Sequence, residues 1–324
     1  MEHIVAVTVT YNRTKTLERC LASLLSQSRK PDTIIIVDNN SSLVEKERLK
    51  MLAEKLDNVY IFWLDENLGG AGGFEYGMNE CRKLFKPDWY WLMDDDAYPR
   101  KDCLEKLLKS ADGLSNIGFL APLIYGIDLN EYQWYHHKLI QGRTYKNFSL
   151  TTQYKNLSAF NRIDANAFVG PLISAKAVET VGIADGSMFI YGDDTEYTFR
   201  ITRQLNGYLI KNAIIDHQDP PIVNNSRDLK SWWKDYYCWR NQYFMVREFQ
   251  GNRLIRILAY AELTKNLITI LAAALIKPKY RRVHLLRSYL ITRSILDGLF
   301  NRRGITIDPV KFRQYIEKNQ RRYL

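Results

Sequence analysis

Three carboxylates in succession, Asp94-Asp95-Asp96, follow the apolar run Trp89-Tyr90-Trp91-Leu92-Met93 and precede Pro99. Carboxylates crowded at the end of a buried strand repel one another unless a cation offsets them. Alternate residues of an extended segment point the same way, so Asp94 and Asp96 are expected to face one divalent ion while Asp95 turns elsewhere. Hard oxygen ligands suit magnesium or manganese. Acidic triplets are more often solvated loops, but the aromatic strand before this one and the proline after it argue for fixed geometry. The run Gly69-Gly70-Ala71-Gly72-Gly73 lies between a strand and a helix. Its backbone can approach a ligand closely there, with helix-start amides facing a phosphate or sugar; a flexible turn accounts for the glycines equally well. It matches neither G-x-G-x-x-G nor the Gly-Lys-Ser/Thr ending of a phosphate-binding loop, so spacing supports neither a dinucleotide fold nor an NTPase. A second acidic cluster, Asp193-Asp194-Thr195-Glu196, opens a helical pattern, where aspartate is commonly cap and dipole chemistry. His217, in Ile214-Ile215-Asp216-His217-Gln218-Asp219-Pro220, follows a strand, and a lone histidine is more often structural than a ligand.

The elements that position these residues alternate. Ile4 to Thr10 is a β-branched run, followed by a helix with Leu17, Cys20, Leu21, Leu24 and Leu25 at three- and four-residue spacing. Thr33 to Val37, a helix over Leu43 to Leu56, Val59 to Trp63, a helix over Gly72 to Phe85 and Trp89 to Met93 continue the pattern. Apolar strands alternating with amphipathic helices predict an α/β fold, a mostly parallel Rossmann-like sheet flanked by helices, with ligands beyond the strands' carboxyl ends. Four polar clusters fall there: Thr10-Tyr11-Asn12-Arg13, Asp38-Asn39-Asn40-Ser41, Asp65-Glu66-Asn67-Leu68-Gly69-Gly70 and the aspartate triplet. One such cluster is ordinary turn chemistry; four in succession point to one functional rim.

Composition bounds the rest. At 324 residues, 46% hydrophobic and 25% charged, the chain can bury a full core and is not a disordered tail. The net charge of +10 suggests a phosphate-bearing partner. Four cysteines without a CxxC pair indicate neither a zinc knuckle nor a disulfide framework, and a reducing cytosol fits. The amino terminus has no signal-like apolar region, and the longest apolar stretch, Leu254 to Ile276, contains Arg256, Glu262 and Lys265, which disfavours a membrane span. Residues 240–324 hold 18 of the 46 basic and 5 of the 36 acidic residues, a net +13 that leaves −3 for the remainder. The chain therefore divides into a near-neutral body, 1–227, and a basic, aromatic-rich helical region, 228–324. In the latter, Arg281, Arg282, Arg287, Arg302 and Arg303 bracket apolar helices, a composition suited to an anionic membrane surface or to packing on another subunit. No DNA- or RNA-binding module is present.

With these motifs in view, the chain resembles family 2 glycosyltransferases of the GT-A fold. The first strand with Thr10-Tyr11-Asn12-Arg13, the segment Val37-Asp38-Asn39-Asn40-Ser41 and the aspartate triplet carry the likeness across residues 4 to about 220. The segment Asn67-Leu68-Gly69-Gly70-Ala71-Gly72-Gly73-Phe74 with the triplet is similar to the bacterial galactofuranosyltransferases, and related rhamnosyltransferases share much of it. The resemblance implies that Thr10, Asn12, Arg13 and Asp38 hold the uridine and its ribose, with Tyr11, Asn39 and Asp95 beside them. Asn67, Gly69, Gly70 and Gly72 would line the pyrophosphate and donor sugar. Asp94, Asp96 and His217 would carry Mn2+ or Mg2+. Asp194 would be the base of an inverting transfer, Asp193 would orient the acceptor, and Glu196 is the substitute base. The expected acceptor is a lipid-linked or surface glycan such as an O-antigen, capsule or cell-wall polysaccharide, met at the cytoplasmic face of the membrane. Acceptor choice is expected within Gly126 to Asn166, where Trp134, Tyr135 and Tyr145 can stack on sugars or fill a core; His136 and His137 match no motif. The alternatives are dTDP-rhamnose transfer and, in another class, a non-catalytic membrane-associated glycan-binding protein, which would tolerate loss of the aspartates kept here. A sugar-1-phosphate nucleotidyltransferase is disfavoured because no basic glycine-rich amino-terminal loop is present.

Overall fold

The computed structural model describes residues 2–128, 130–149, 156–218, 229–276 and 281–319. The amino-terminal part alternates as its periodicity dictates: β1 Ile4–Thr10, α1 Thr14–Leu25, β2 Thr33–Asp38, α2 Leu43–Ala53, β3 Val59–Trp63, α3 Gly69–Leu84 and β4 Trp89–Asp94. There follow β5 Ala97–Pro99, α4 Cys103–Ala111, β6 Ile117–Gly126, β7 His137–Gln141, β8 Lys146–Ser149, β9 Phe160–Arg162, β10 Ala165–Asn166 and β11 Val169–Ser174. After α5 Ala175–Val181, α6 Asp193–Thr202 and β12 Asn206–His217, the chain is helical: α7 Trp232–Phe249, α8 Arg253–Ile276, α9 Arg281–Leu299 and α10 Pro309–Asn319.

The main sheet runs β3-β2-β1-β4-β11-β6-β12-β5, with β9 also paired to β12. From β3 to β4 all pairs are parallel. Beyond β4 the sheet is mixed: β11 is antiparallel to β4 and β6, while β12 is parallel to β6 and antiparallel to β5 and β9. The expectation of a mostly parallel sheet therefore describes its amino-terminal half.

Successive residues of the strands face opposite sides, which builds one core on each face. On one side Ile4, Ala6, Ile34, Ile36 and Trp91 pack with Leu17 and Leu21 of α1 and Leu104 and Leu107 of α4. On the other, Val5, Val7, Ile35, Val37 and Leu92 pack with Phe74 and Met78 of α3 and Tyr197 and Ile201 of α6. Each fully buried valine, leucine, isoleucine, phenylalanine or methionine among them is worth about 1.5–3 kcal/mol over an exposed one. Helix α3 lies tight on the sheet: a Cβ on Gly73 would sit 2.4 Å from Val9 Cγ1, and one on Gly77 2.6 Å from Val7 Cγ1. Cys20, Cys81 and Cys103 are buried in these cores, while Cys238 on α7 is exposed.

By internal contacts the chain forms two compact units. The first comprises the described residues of Met1–Ile140, Asn147–Gly186 and Asp194–Pro220, the second those of Gln141–Lys146, Ser187–Asp193 and Pro221–Leu324. The expected boundary at residues 227 and 228, and the loop residues Asp219 and Pro220, lie outside the described residues. In the second unit, Trp232, Trp233, Tyr236 and Tyr237 of α7 pack with Leu286 and Leu290 of α9, Phe312 and Ile316 of α10 and Phe189. Tyr243 joins Ile291 and Ile295, with Leu263, Leu267 and Ile270 of α8 against them. Asp297, fully buried, accepts from Tyr236 Oη at 2.6 Å, Arg293 Nε at 2.7 Å and Arg302 at 3.2 Å. The other side of α8 carries exposed Leu254, Ile257, Leu258, Ile268 and Ile276. Among the described residues no helix is long and apolar enough to cross a membrane.

Candidate active site

The carboxyl ends of β2, β1 and β4 lie side by side, with Thr10 level with Asp38 and Val9 level with Asp94. Chain order reverses between β1 and β4, since β2 and β3 extend to one side and β4 to the other. Such a switch point leaves a crevice beyond the strand ends, where ligands of α/β sheets sit. The three aspartates have separate environments there. Asp95 is buried and accepts from Thr10 Oγ1 at 2.8 Å and pairs with Arg13 at 2.9 Å, so it ties the end of β4 to the end of β1. Burial raises its pKa to about 6, against the opposing pull of Arg13. Asp96 takes the other Arg13 nitrogen at 2.7 Å and faces His217 Nε2 at 3.3 Å. Burial works to raise its pKa too, but the hydrogen bond and charge of His217, with Arg13, carry it down to about 2.

His217 reaches this place through strand pairing. β5 follows the triplet directly and pairs antiparallel with β12, which sets His217 opposite Ala97; Gln218 N then donates to the Asp96 carbonyl at 3.2 Å. One ligand atom each from Asp94, Asp96 and His217 lies within 4.8 Å of the others. Two carboxylate oxygens and an imidazole nitrogen at that spacing fit a divalent ion of the manganese or magnesium type. Behind His217, the Gln133 side-chain oxygen lies 3.0 Å from its Nδ1 and 3.1 Å from His136 Nε2. The two imidazole rings meet edge to face at 5.0 Å. Tyr135 stands 4.5 Å from His136, and Trp134 6.0 Å from Tyr135, both partly exposed. Tyr145 lies in the second unit, edge-on to Phe249 at 5.8 Å.

On the other flank, Asp38 is buried and accepts from Ser41 N at 3.0 Å through Oδ2, while its Oδ1 is buried without a partner among the described residues. A buried carboxylate oxygen left unmatched is costly unless a ligand donates to it. Asn12, with φ 56°, takes a left-handed turn that Ser41 and Ser42 close through its backbone and side chain. Asn39 is spent on the glycine loop: it donates to the Gly69 carbonyl and accepts from Leu68 N, both at 2.8 Å. Asn67 closes a turn by accepting from Gly69 N at 2.9 Å. Within the glycine run the roles divide. A Cβ on Gly70 would meet nothing within 4 Å, so its backbone borders open space, whereas Gly72 Cα is 2.9 Å from where a Gly186 Cβ would lie. Tyr11 is 41% exposed beside them.

At the start of α6, Asp193 is buried. Asp194 Oδ1 accepts from Thr195 N and Thr195 Oγ1 and pairs with Lys138 Nζ at 3.8 Å, while Lys138 also donates to Thr195 Oγ1. Glu196 is differently employed: Arg200 grips it at 2.7 and 3.1 Å and donates onward to the Val181 and Ile183 carbonyls, fixing α6 to that turn. Gln133 and Lys138 belong to no motif, and the sequence carries no signal for either.

A model of the family described as glycosyl transferase family 2 matches residues 5–173, over half of the chain. The chain belongs to this family. Its likeness to a galactofuranosyltransferase, GlfT1 of Mycolicibacterium smegmatis, is 31% identity over 62% of this chain and 66% of that one, so the match spans about two thirds of the relative's length. The dTDP-rhamnosyl transferase RfbF of Shigella flexneri is 25% identical over 94% of this chain and 97% of its own. Among solved structures, a mannosyltransferase of Pyrobaculum calidifontis in complex with GDP-Man and Mn2+ superposes with TM-score 0.56 at 14% identity, covering 93% of this chain and 88% of that one. GalNAc-T7 with UDP, GalNAc and Mn2+ gives TM-score 0.56 at 18% identity over 82% and 55%. At such identities the structures speak for fold, and the fold of this glycosyltransferase is GT-A.

Proposed function

We propose that this glycosyltransferase is inverting and metal-dependent and moves galactofuranose from UDP-galactofuranose to a glycan acceptor, lipid-linked or at the cell surface. The observation that carries the metal-dependent reading is the meeting of Asp94, Asp96 and His217 at the ends of β4 and β12; the galactofuranosyl donor is supported by the likeness to GlfT1. A bound Mn2+ or Mg2+ would act as a Lewis acid on the diphosphate leaving group. The unmatched Asp38 oxygen suits a donor hydroxyl or base N–H, and Thr10, Tyr11, Asn12 and Arg13 border the same crevice.

Asp194 is the base in this reading. It takes the proton from the acceptor hydroxyl, the oxygen bonds to the anomeric carbon, and the bond to the diphosphate breaks with its electron pair leaving on UDP, inverting the centre. Thr195 and Lys138 both hold Asp194 Oδ1, which leaves Oδ2 for that proton. Glu196, gripped by Arg200, would have to break a two-point ion pair to serve instead. Asp193 orients the acceptor, and Trp134 and Tyr135 offer faces on which its sugars stack. The basic second unit, with the exposed apolar side of α8, is read as a peripheral contact with an anionic membrane.

A second reading, transfer of rhamnose from dTDP-rhamnose, is favoured by one observation: a relative that matches nearly end to end is a rhamnosyl transferase. Calorimetric titration with UDP, UDP-galactofuranose, UDP-galactopyranose and dTDP-rhamnose, each with and without manganese, separates the two. Manganese-dependent binding of the furanose donor is expected. Preference for dTDP-rhamnose moves the assignment to the second reading, and no nucleotide binding at all ends both in favour of a glycan-binding protein.

A further inference from the structure

Gln133 lies in the segment between β6 and β7, is almost fully buried, and its backbone N–H donates to the Ile124 carbonyl at 2.9 Å, which pins the residue to β6. Its side-chain oxygen meets two imidazole nitrogens, His217 Nδ1 at 3.0 Å and His136 Nε2 at 3.1 Å. An amide oxygen has two lone pairs and only accepts, so both nitrogens must carry hydrogen. For His217 this settles which nitrogen faces the cation position: with Nδ1–H committed to Gln133, Nε2, 3.3 Å from Asp96, is the nitrogen that can give up its hydrogen to a cation bound there. His136 Nε2 is by the same argument the N–H nitrogen of its ring, and the Gln133 oxygen takes that hydrogen as well.

We propose that Gln133 is a positioning residue for the metal site: its carbonyl oxygen selects the Nδ1–H form of His217 and so presents Nε2 as the ligand nitrogen, with His136 filling the second lone pair and bracing the ring edge to face. This rests on the reading of Asp94, Asp96 and His217 as metal ligands. It also gives a reason for the histidine that matched no motif. His136 belongs to the short turn that bears Trp134 and Tyr135, so the amide oxygen joins that turn to the proposed ligand.

The full chain labelled with 15N-histidine tests this directly, because long-range proton–nitrogen correlation distinguishes a protonated from a bare ring nitrogen. His217 is expected to show hydrogen on Nδ1 in the metal-free chain and after addition of Mg2+ with UDP, the latter shifting Nε2. A bare Nδ1 in either state overturns the proposal. In parallel, Mn2+ affinity in the presence of UDP is measured by calorimetry. Gln133→Leu is expected to weaken it about 10–100-fold, the range for loss of a partner behind a metal-bound histidine. Gln133→Glu, which keeps an accepting oxygen, is expected to retain more of that affinity than Gln133→Leu. A folded Gln133→Leu chain with affinity within about twofold would refute the role, since the loss of a true partner costs at least tenfold. If that variant does not fold, the ring measurement on the unaltered chain decides alone. His217→Ala separates the two ideas: unchanged Mn2+ affinity there ends the metal-site reading itself, whereas weakened affinity there with none lost in Gln133→Leu ends only the role of Gln133.

Discussion

Asp194 and Glu196 stand two residues apart on one helix and are held in different ways. Arg200 closes on both oxygens of Glu196, whereas Asp194 is held through Oδ1 alone. Asp194→Asn is therefore expected to lower transfer by at least about 10²-fold, the smaller figure for loss of a general base, while calorimetry shows donor affinity unchanged. Near-normal turnover would remove Asp194 from the role. Asp96→Ala is expected to weaken manganese-dependent UDP binding at least about tenfold, as loss of one of three metal-binding side chains should, with little change to binding measured without metal. At this scale the sequence was legible where letters cluster: the triplet and its alternation were readable from the residues, whereas His217, a lone histidine, was reached only through the family resemblance. It could not tell the middle aspartate from its neighbours by environment, because the burial of Asp95 against Thr10 and Arg13 depends on β1 and β4 lying side by side. Nor could it show that the side chains of Asn12 and Asn39, expected at the donor, also tie the ends of β1 and β2 to other loops, at Ser42 and at Leu68 and Gly69, because those contacts join segments far apart in the chain.

The elements tell a similar story with a boundary in it. Up to β4 the alternation of apolar runs and amphipathic helices gave the strands and their parallel direction, though not their order; β11 and β12 gave no comparable hint of direction, since antiparallel insertion into a sheet leaves no local periodicity. The glycine run shows how a motif divides once its helix is placed. Gly73→Ala sets a methyl against Val9 and is expected to cost about 1–3 kcal/mol as overpacking, read as a lowered Tm. Gly70→Ala meets open space within the first turn of α3 and should leave Tm unchanged. If the donor passes over that backbone, calorimetry will instead record weaker UDP-sugar binding for Gly70→Ala; equal affinity would remove Gly70 from the donor site.

Across the whole molecule, charge is distributed unevenly, and the basic segment has its own internal anchor. Asp297 is buried under two arginines and a tyrosine, and although burial works against its ionisation, Tyr236 and Arg293 hold its pKa below the usual carboxylate value. Its contribution is therefore fully present above the unfolded value of about 3.9 and is lost as pH falls through the lower folded value. Asp297→Asn should cost about 1.5–3 kcal/mol, the range for hydrogen bonds to a charged group, in denaturant unfolding at neutral pH. The penalty should shrink below about pH 4, where the native carboxylate is itself being protonated. A penalty independent of pH would mean that packing, and not charge, is what Asp297 supplies.

The placement of the four cysteines gives the chain a single chemical handle. Burial raises the Cys20, Cys81 and Cys103 thiols above their ordinary pKa values and shields them, while Cys238 stands exposed on α7. A maleimide dye added to the native chain is thus expected to attach once, with the other three thiols appearing only on unfolding. A fluorophore fixed at that one position would follow the helical segment in solution, without any cysteine having to be engineered away, and would change its emission when vesicles, a second subunit or a glycan arrive beside it.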